Sequence, residues 1–137
     1  MPSKISIPTE YEEACIFADW LELQKQQGTI LDYCHIANES YGGTKADMLR
    51  GAKLKRMGRK RGVFDYQIFV VKGYRINNKG FREAHYMMIC VELKKRKGGV
   101  ASPEQKQWLK IYEQADIPAK ICSGANEAME FVQSFII

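Results

Sequence analysis

The chain has only two histidines and four cysteines. Cys15, Cys34, Cys90 and Cys122 are widely spaced and include no C-x-x-C pair, which excludes a zinc clip or dithiol redox motif and predicts reduced, mostly buried thiols. His35 and His85 have no partner at metal-ligand or triad spacing, so both read as structural. Long apolar runs are also missing. The stretches around Ile68–Val71 and Tyr86–Val91 fall far short of the ~20 residues that a membrane-spanning helix needs. Met1-Pro2-Ser3-Lys4 shows no apolar secretory region. The expectation is a cytoplasmic protein, or a phage-encoded one acting in the host cytoplasm, with no membrane partner and no small-molecule cofactor.

What is present is the composition of an ordinary globular domain. With 137 residues, 45% hydrophobic and 11% aromatic, the chain can bury one core and is read as a single domain over 1–137. Its net charge of +5 is unevenly spread. Arg50, Lys53, Lys55, Arg56, Arg59, Lys60 and Arg61 form one run without an acid, and Lys94, Lys95, Arg96 and Lys97 form another. These hold eleven of the 21 Lys and Arg, so the remaining ten bases face all sixteen acids. Any one run is explained as a solvated face. Two runs bracketing a candidate site favour a polyanion, because clustered cations release counterions from phosphate.

Thr9 as N-cap with Glu12 three residues on predicts a capping box and a helix to about Gln26, ended by Gly28. Ile16, Phe17, Trp20 and Leu21 form its expected buried stripe. Leu31–Ala37 reads as a short strand, and Lys45 to about Met57 as a basic helix. Val63–Val71 and Tyr86–Leu93 read as a β-hairpin with Lys72–Gly80 as its polar loop. Ser102-Pro103-Glu104-Gln105 opens a third helix to about Ala115, with Ser at N-cap, Pro at N1 and Gln at N3. Ala119–Cys122 reads as a strand, and Asn126 to about Ile136 as a last helix. The order α-β-α-β-β-α-β-α predicts an α/β domain with a central mixed sheet flanked by helices, the first packed across one face.

The chemistry lies in three carboxylates and a lysine. Glu92 and Lys94, two apart near the end of a strand, project from one face. Asp65 opens the preceding strand, and in an antiparallel hairpin the start of one strand lies beside the end of the next. Two carboxylates converging on a partly buried face require a compensating cation, and a hard divalent ion is the usual one. Asp65 and Glu92 are therefore candidate ligands of Mg²⁺, with Mn²⁺ able to substitute, and Lys94 is the candidate to orient a water or neutralise charge on a phosphate. The simpler reading of Lys94 is a salt bridge to Glu92 or Asp65. Glu13 centres on the apolar stripe of the first helix, where a carboxylate needs a reason, and is expected to reach towards the ion or its waters. Gln105 is accounted for by its cap and Trp108 by the core.

Taken in order, Gly62-Val63-Phe64-Asp65, Val91-Glu92-Leu93-Lys94, Gly98-Gly99 and Ser102-x-x-Gln105-x-x-Trp108 resemble the motifs of the virus-type replication-repair nuclease (VRR-NUC) domain. This is a branch of the PD-(D/E)XK restriction-endonuclease-like superfamily. Glu13 with Trp20 resembles that family's amino-terminal acidic helix, and His35-Ile36-Ala37-Asn38-Glu39 its H-x-x-N-E segment. The resemblance implies a restriction-endonuclease-like fold and a Mg²⁺-dependent endonuclease acting on DNA. It makes Asp65 and Glu92 metal ligands, the Leu93 carbonyl a further ligand, Lys94 the catalytic lysine, and Glu13 and Gln105 accessory positions. Phe64 departs from the family's usual proline, which bears on the turn rather than on catalysis.

A single metal site cuts one strand at a time. A two-fold homodimer matches the symmetry of a four-way (Holliday) junction, as the resemblance implies for stand-alone members. The apolar terminal segment with Met129, Phe131, Val132, Phe135, Ile136 and Ile137 is expected to contribute to the interface or, equally, to pack on the sheet. An inactive DNA-binding module and a flap- or RNA-directed nuclease of the same fold are the alternatives.

Overall fold

The computed structural model of the chain describes residues 6–37 and 43–136. Eight elements follow one another among them: α1 (Glu10–Gln26), β1 (Ile30–His35), α2 (Lys45–Arg56), β2 (Tyr66–Ile76), β3 (Arg82–Lys94), α3 (Pro103–Gln114), β4 (Ala119–Ser123) and α4 (Ala125–Gln133). The strands form one mixed sheet in the order β1-β2-β3-β4. β1–β2 and β2–β3 are antiparallel, whereas β3–β4 is parallel. The parallel step follows from α3, because two strands pointing the same way need a long crossover between them.

Alternation along the central strands assigns the two faces of the sheet. Tyr66, Ile68 and Val70 of β2 and Ile89, Val91 and Leu93 of β3 pack against Phe17 and Leu21 of α1 and Ala125, Ala128 and Val132 of α4. On the other face, Cys90 and Met88 meet Phe64 and the α3 side chains Trp108, Leu109 and Tyr112. α2 buries none of its residues. Its N-cap, Thr44, accepts the Asp47 amide at 3.1 Å. No helix among the described residues is long and apolar enough to cross a membrane.

Several local expectations are corrected. The inward stripe of α1 is Glu13, Phe17 and Leu21; Ile16 is 44% exposed, and Trp20 lies at the margin of the core. At the α1 cap, Thr9 Oγ1 accepts the Glu12 amide at 3.1 Å, but the Glu12 carboxylate meets the Thr9 hydroxyl instead of its backbone N–H. β1 begins at Ile30, one residue earlier than expected. The hairpin is longer than expected. Its ladder continues past a bulge between Val71 and Gly73 to Ile76 opposite Arg82, so only Asn77–Phe81 turn. The Asn77 side chain closes that turn by accepting the amides of Lys79 and Phe81, both at 2.9 Å. Cys90 and Cys122 are buried, whereas Cys15 and Cys34 are exposed.

The terminal apolar helix is mostly committed to its own sheet. Val132 is fully buried, and Met129, Phe131, Phe135 and Ile136 pack against the core; Ile137 lies outside the described residues. Phe17 is fully buried, edge-on to Tyr66 with ring centres 5.0 Å apart. Phe17→Ala should therefore cost roughly 3–5 kcal/mol in denaturant unfolding, and Trp20→Ala clearly less, since Trp20 keeps part of its surface in water. Equal losses would show that this margin is core.

Candidate active site

The site forms where β2 begins and β3 ends. Tyr66 pairs with Val91, which sets Asp65 beside Glu92. The two acids then exchange backbone bonds: the Asp65 amide donates to Glu92 Oε2 at 3.0 Å, and the Leu93 amide donates to Asp65 Oδ2 at 3.1 Å. Lys94 Nζ lies 3.5 Å from Glu92 Oε1, with both side chains largely shielded. Gln105 carries out two tasks that looked like competing explanations. Its carbonyl accepts the Ser102 amide at 2.9 Å in a complete capping box, and its Nε2 donates to Glu92 Oε1.

The loop that carries Asp65 is locked onto α3. Gly62 adopts φ +87°, and a Cβ there would come within 2.5 Å of the Glu104 carbonyl carbon, so only glycine allows this approach. The Trp108 indole donates to the Arg61 carbonyl at 3.0 Å. Phe64, fully buried, packs against Tyr112 with ring centres 4.9 Å apart. Packing thus holds the turn that proline would have stiffened.

A cavity of about 610 Å³ opens over these groups, lined by Asp65, Glu92, Leu93, Lys94 and Gln105 together with Glu10, Tyr11, Ala14, His35 and Ile36. Burial raises the pKa of Asp65. Glu92 is pushed up to about 8, first by burial and then by the charge of Asp65, with Lys94 opposing both.

Glu13 is elsewhere. It is fully buried and not part of the cavity wall; its carboxylate accepts the Ala125 amide at the start of α4 and pairs with Arg96 at 2.8 Å. Gly124 makes this possible, because a Cβ there would lie 2.6 Å from Glu13 Oε2. Glu10, one turn earlier, is the α1 carboxylate that faces the cavity and raises the Asp65 pKa. His35 also lines the cavity, and its charge lowers the Asp65 pKa. Both were missed as site residues. The Glu10–Ala14 spacing carried a signal for the first; the second needed the β1–β2 register, in which His35 sits opposite Tyr66. Asn38 and Glu39 lie outside the described residues.

Of the basic positions, Arg50, Lys53, Lys55 and Arg56 are exposed on α2, and Arg59, Lys60 and Arg61 lead into the Asp65 loop. Lys95, Arg96 and Lys97 directly follow Lys94 at the surface, with Arg96 committed to Glu13.

This architecture is an α/β fold with a four-stranded mixed sheet flanked by helices. A solved structure described as a VRR_NUC domain protein superposes with a TM-score of 0.60 at 20% identity, covering 96% of this chain and 91% of that one. No family model matches the sequence, and no curated protein matches it. The fold implied by the motif set is thus the one observed.

The raised carboxylate has a consequence for stability. A folded-state pKa of about 8 against an ordinary 4.5 means that the folded protein holds a proton the unfolded chain has released. That contribution is complete below about 4.5 and lost as pH rises through about 8. In EDTA the melting temperature should fall across this window, and Glu92→Gln, which cannot ionise, should flatten the decline. Parallel curves for the two proteins would contradict the burial of this charge.

Proposed function

We propose that the protein is a metal-dependent nuclease that hydrolyses DNA phosphodiester bonds. One observation carries the reading: Asp65 and Glu92 are crowded together, largely shielded from water, with Lys94 beside them in an open cavity. Among the described residues no three His, Cys, Asp or Glu side chains converge on a metal position. The donor set still fits Mg²⁺, which keeps several waters and is commonly held by one or two carboxylates plus phosphate oxygens. Asp65, Glu92 and the Leu93 carbonyl would hold it, and Mn²⁺ would substitute. Once bound, the ion supplies Lewis acidity to a scissile phosphate and acidity to a water.

The remaining work belongs to the chain. Gln105 fixes the Glu92 rotamer through Oε1, and the Leu93 amide fixes Asp65 through Oδ2. The Lys94 ammonium, 3.5 Å from Glu92 Oε1, would neutralise charge that develops on the phosphate oxygens or hold the attacking water. Exposed Lys53, Lys55, Arg56, Lys60 and Arg61, with Lys95 and Lys97 beyond β3, supply phosphate contacts.

EDTA should abolish cleavage, with Mg²⁺ or Mn²⁺ restoring it. Asp65→Ala, Glu92→Ala and Lys94→Ala should each lower the rate by about 10²-fold or more. The two carboxylate variants should leave the melting temperature unchanged or raised, because each removes one of two crowded like charges, whereas Lys94→Ala should not raise it, because it removes the cation that offsets them. Activity in EDTA, or a parental rate for the lysine variant, would sink the mechanism. Salt-sensitive binding without any cleavage would identify an inactive binding module instead.

The reading extends to substrate and assembly. Two copies related by a two-fold axis present paired sites that match a four-way junction, so the protein is proposed to act as a homodimer on branched DNA. Light scattering should give twice the 15.7 kDa chain mass, and four-way junctions should be cut faster than linear duplex or flap. A monomer that cuts all three equally would refute this extension and leave the chemistry standing.

A further inference from the structure

The hairpin outruns its sheet. β1 accompanies β2 only as far as Val70, and β4 accompanies β3 only from Cys90 onward. Val71–Ile76 and Arg82–Met88 therefore form a two-stranded ribbon with no third strand beside it. Between Lys72 and Tyr86 it carries four Lys and Arg against a single acid, Glu83. Tyr74, Ile76, Phe81 and Tyr86 are exposed along it.

The two faces of the ribbon differ. The bulge lies on β2, so alternation along β3 runs unbroken and places Arg82, Ala84 and Tyr86 on the same face as Glu92 and Lys94. Tyr74, opposite Ala84, and Ile76, opposite Arg82, share that face. There the Arg82 guanidinium stacks 3.9 Å from the Tyr74 ring centre, which holds cation and aromatic together as a preformed plate. Glu83 is on the opposite face, and its carboxylate is taken by Asn77 Nδ2 at 2.8 Å. Within the ribbon, the face shared with Lys94 thus has an ordered arginine, exposed aromatics and no acid.

We propose that this ribbon is a second DNA contact, an arm that grips duplex flanking the cleavage site. The proposal rests on the reading that DNA enters the cavity. A two-stranded ribbon fits the major groove, and a stacked guanidinium suits phosphate and base edges. Twelve residues separate Arg82 from Lys94, which at ~3.3 Å per residue is about 40 Å, or roughly twelve base-pair steps of 3.4 Å. Self-association through the ribbon is disfavoured, since it would set two strongly positive surfaces against each other.

The test measures binding by fluorescence anisotropy in Ca²⁺, using duplexes of about 10 and about 30 base pairs, only the longer of which spans the interval. Tyr74→Ala and Arg82→Glu should each weaken binding of the longer duplex by about tenfold or more, and Arg82→Glu should lower its salt slope by about one. Binding of the shorter duplex should change less than about twofold. Unaltered melting temperatures would show that the losses are not due to unfolding, and Lys79→Glu at the turn gives a second reading if Tyr74→Ala frays the ribbon. No loss, or equal loss at both lengths, overturns the proposal, as does a wild type that binds neither duplex. A variant that turns a dimer into a monomer assigns the ribbon to self-association instead. A wild type that binds with this length dependence but cuts nothing supports the arm and defeats only the nuclease reading.

Discussion

Two carboxylates held against one another at the mouth of a hairpin constrain the rest of this molecule. Asp65 and Glu92 each accept a backbone amide from the other's neighbourhood, and both are shielded enough to raise their pKa values. Such crowding is unfavourable in a bare domain, so the surroundings must impose it. The β2–β3 register does so first. A one-residue slip would turn Glu92 and Lys94 to the face where Val91 and Leu93 now pack, which the apolar core forbids. The α3 amino terminus does so second, through the close approach of Gly62, the burial of Phe64 and the amide of Gln105.

A second buried acid supports the frame from behind. Glu13 is surrounded by core yet fully satisfied, with Arg96 on one oxygen and the start of α4 on the other. It joins α1, the segment after β3 and α4 at one point, and a charge placed at a helix amino terminus is favoured by the helix dipole. This fixes the rotation of α1. With Glu13, Phe17 and Leu21 turned inward, Glu10 and Ala14 are left facing the cavity. The two α1 acids therefore divide into a structural anchor and a wall of the site. Arg96 differs from Lys95 and Lys97 for the same reason, since its guanidinium is already paired.

The proposed nucleic-acid surface follows from where the protein puts its cations. Those of α2 stand on a helix that buries nothing, and those of the ribbon stand beyond the sheet, so neither group stabilises the core. Cations displaced from the core in this way suit an extended polyanion better than a small ligand. The cavity itself is lined by Asp65, Glu92 and Lys94, the groups on which the proposed chemistry rests.

Much of the architecture was legible without coordinates, because it rests on local rules. Capping residues at Thr9 and Ser102, the breaks at Gly28 and Gly98-Gly99, and the β-branched and aromatic runs yielded the eight elements in order. The pairing of Asp65 with Glu92 and Lys94 followed from strand alternation and hairpin geometry alone. Other features depended on contacts between distant segments. Whether Glu10 or Glu13 reached the cavity turned on the rotation of α1, which a partner 83 residues away decides. His35 became a site residue only through its register against Tyr66, and the hairpin extended past Lys72 and Gly73 because cross-strand pairs outweighed weak local β-propensity. Periodicity and capping act within a few residues, so the sequence by itself determined which elements form and in what order. Helix rotation, strand register and the partners of buried charges are set by long-range packing, and only the tertiary structure decided them.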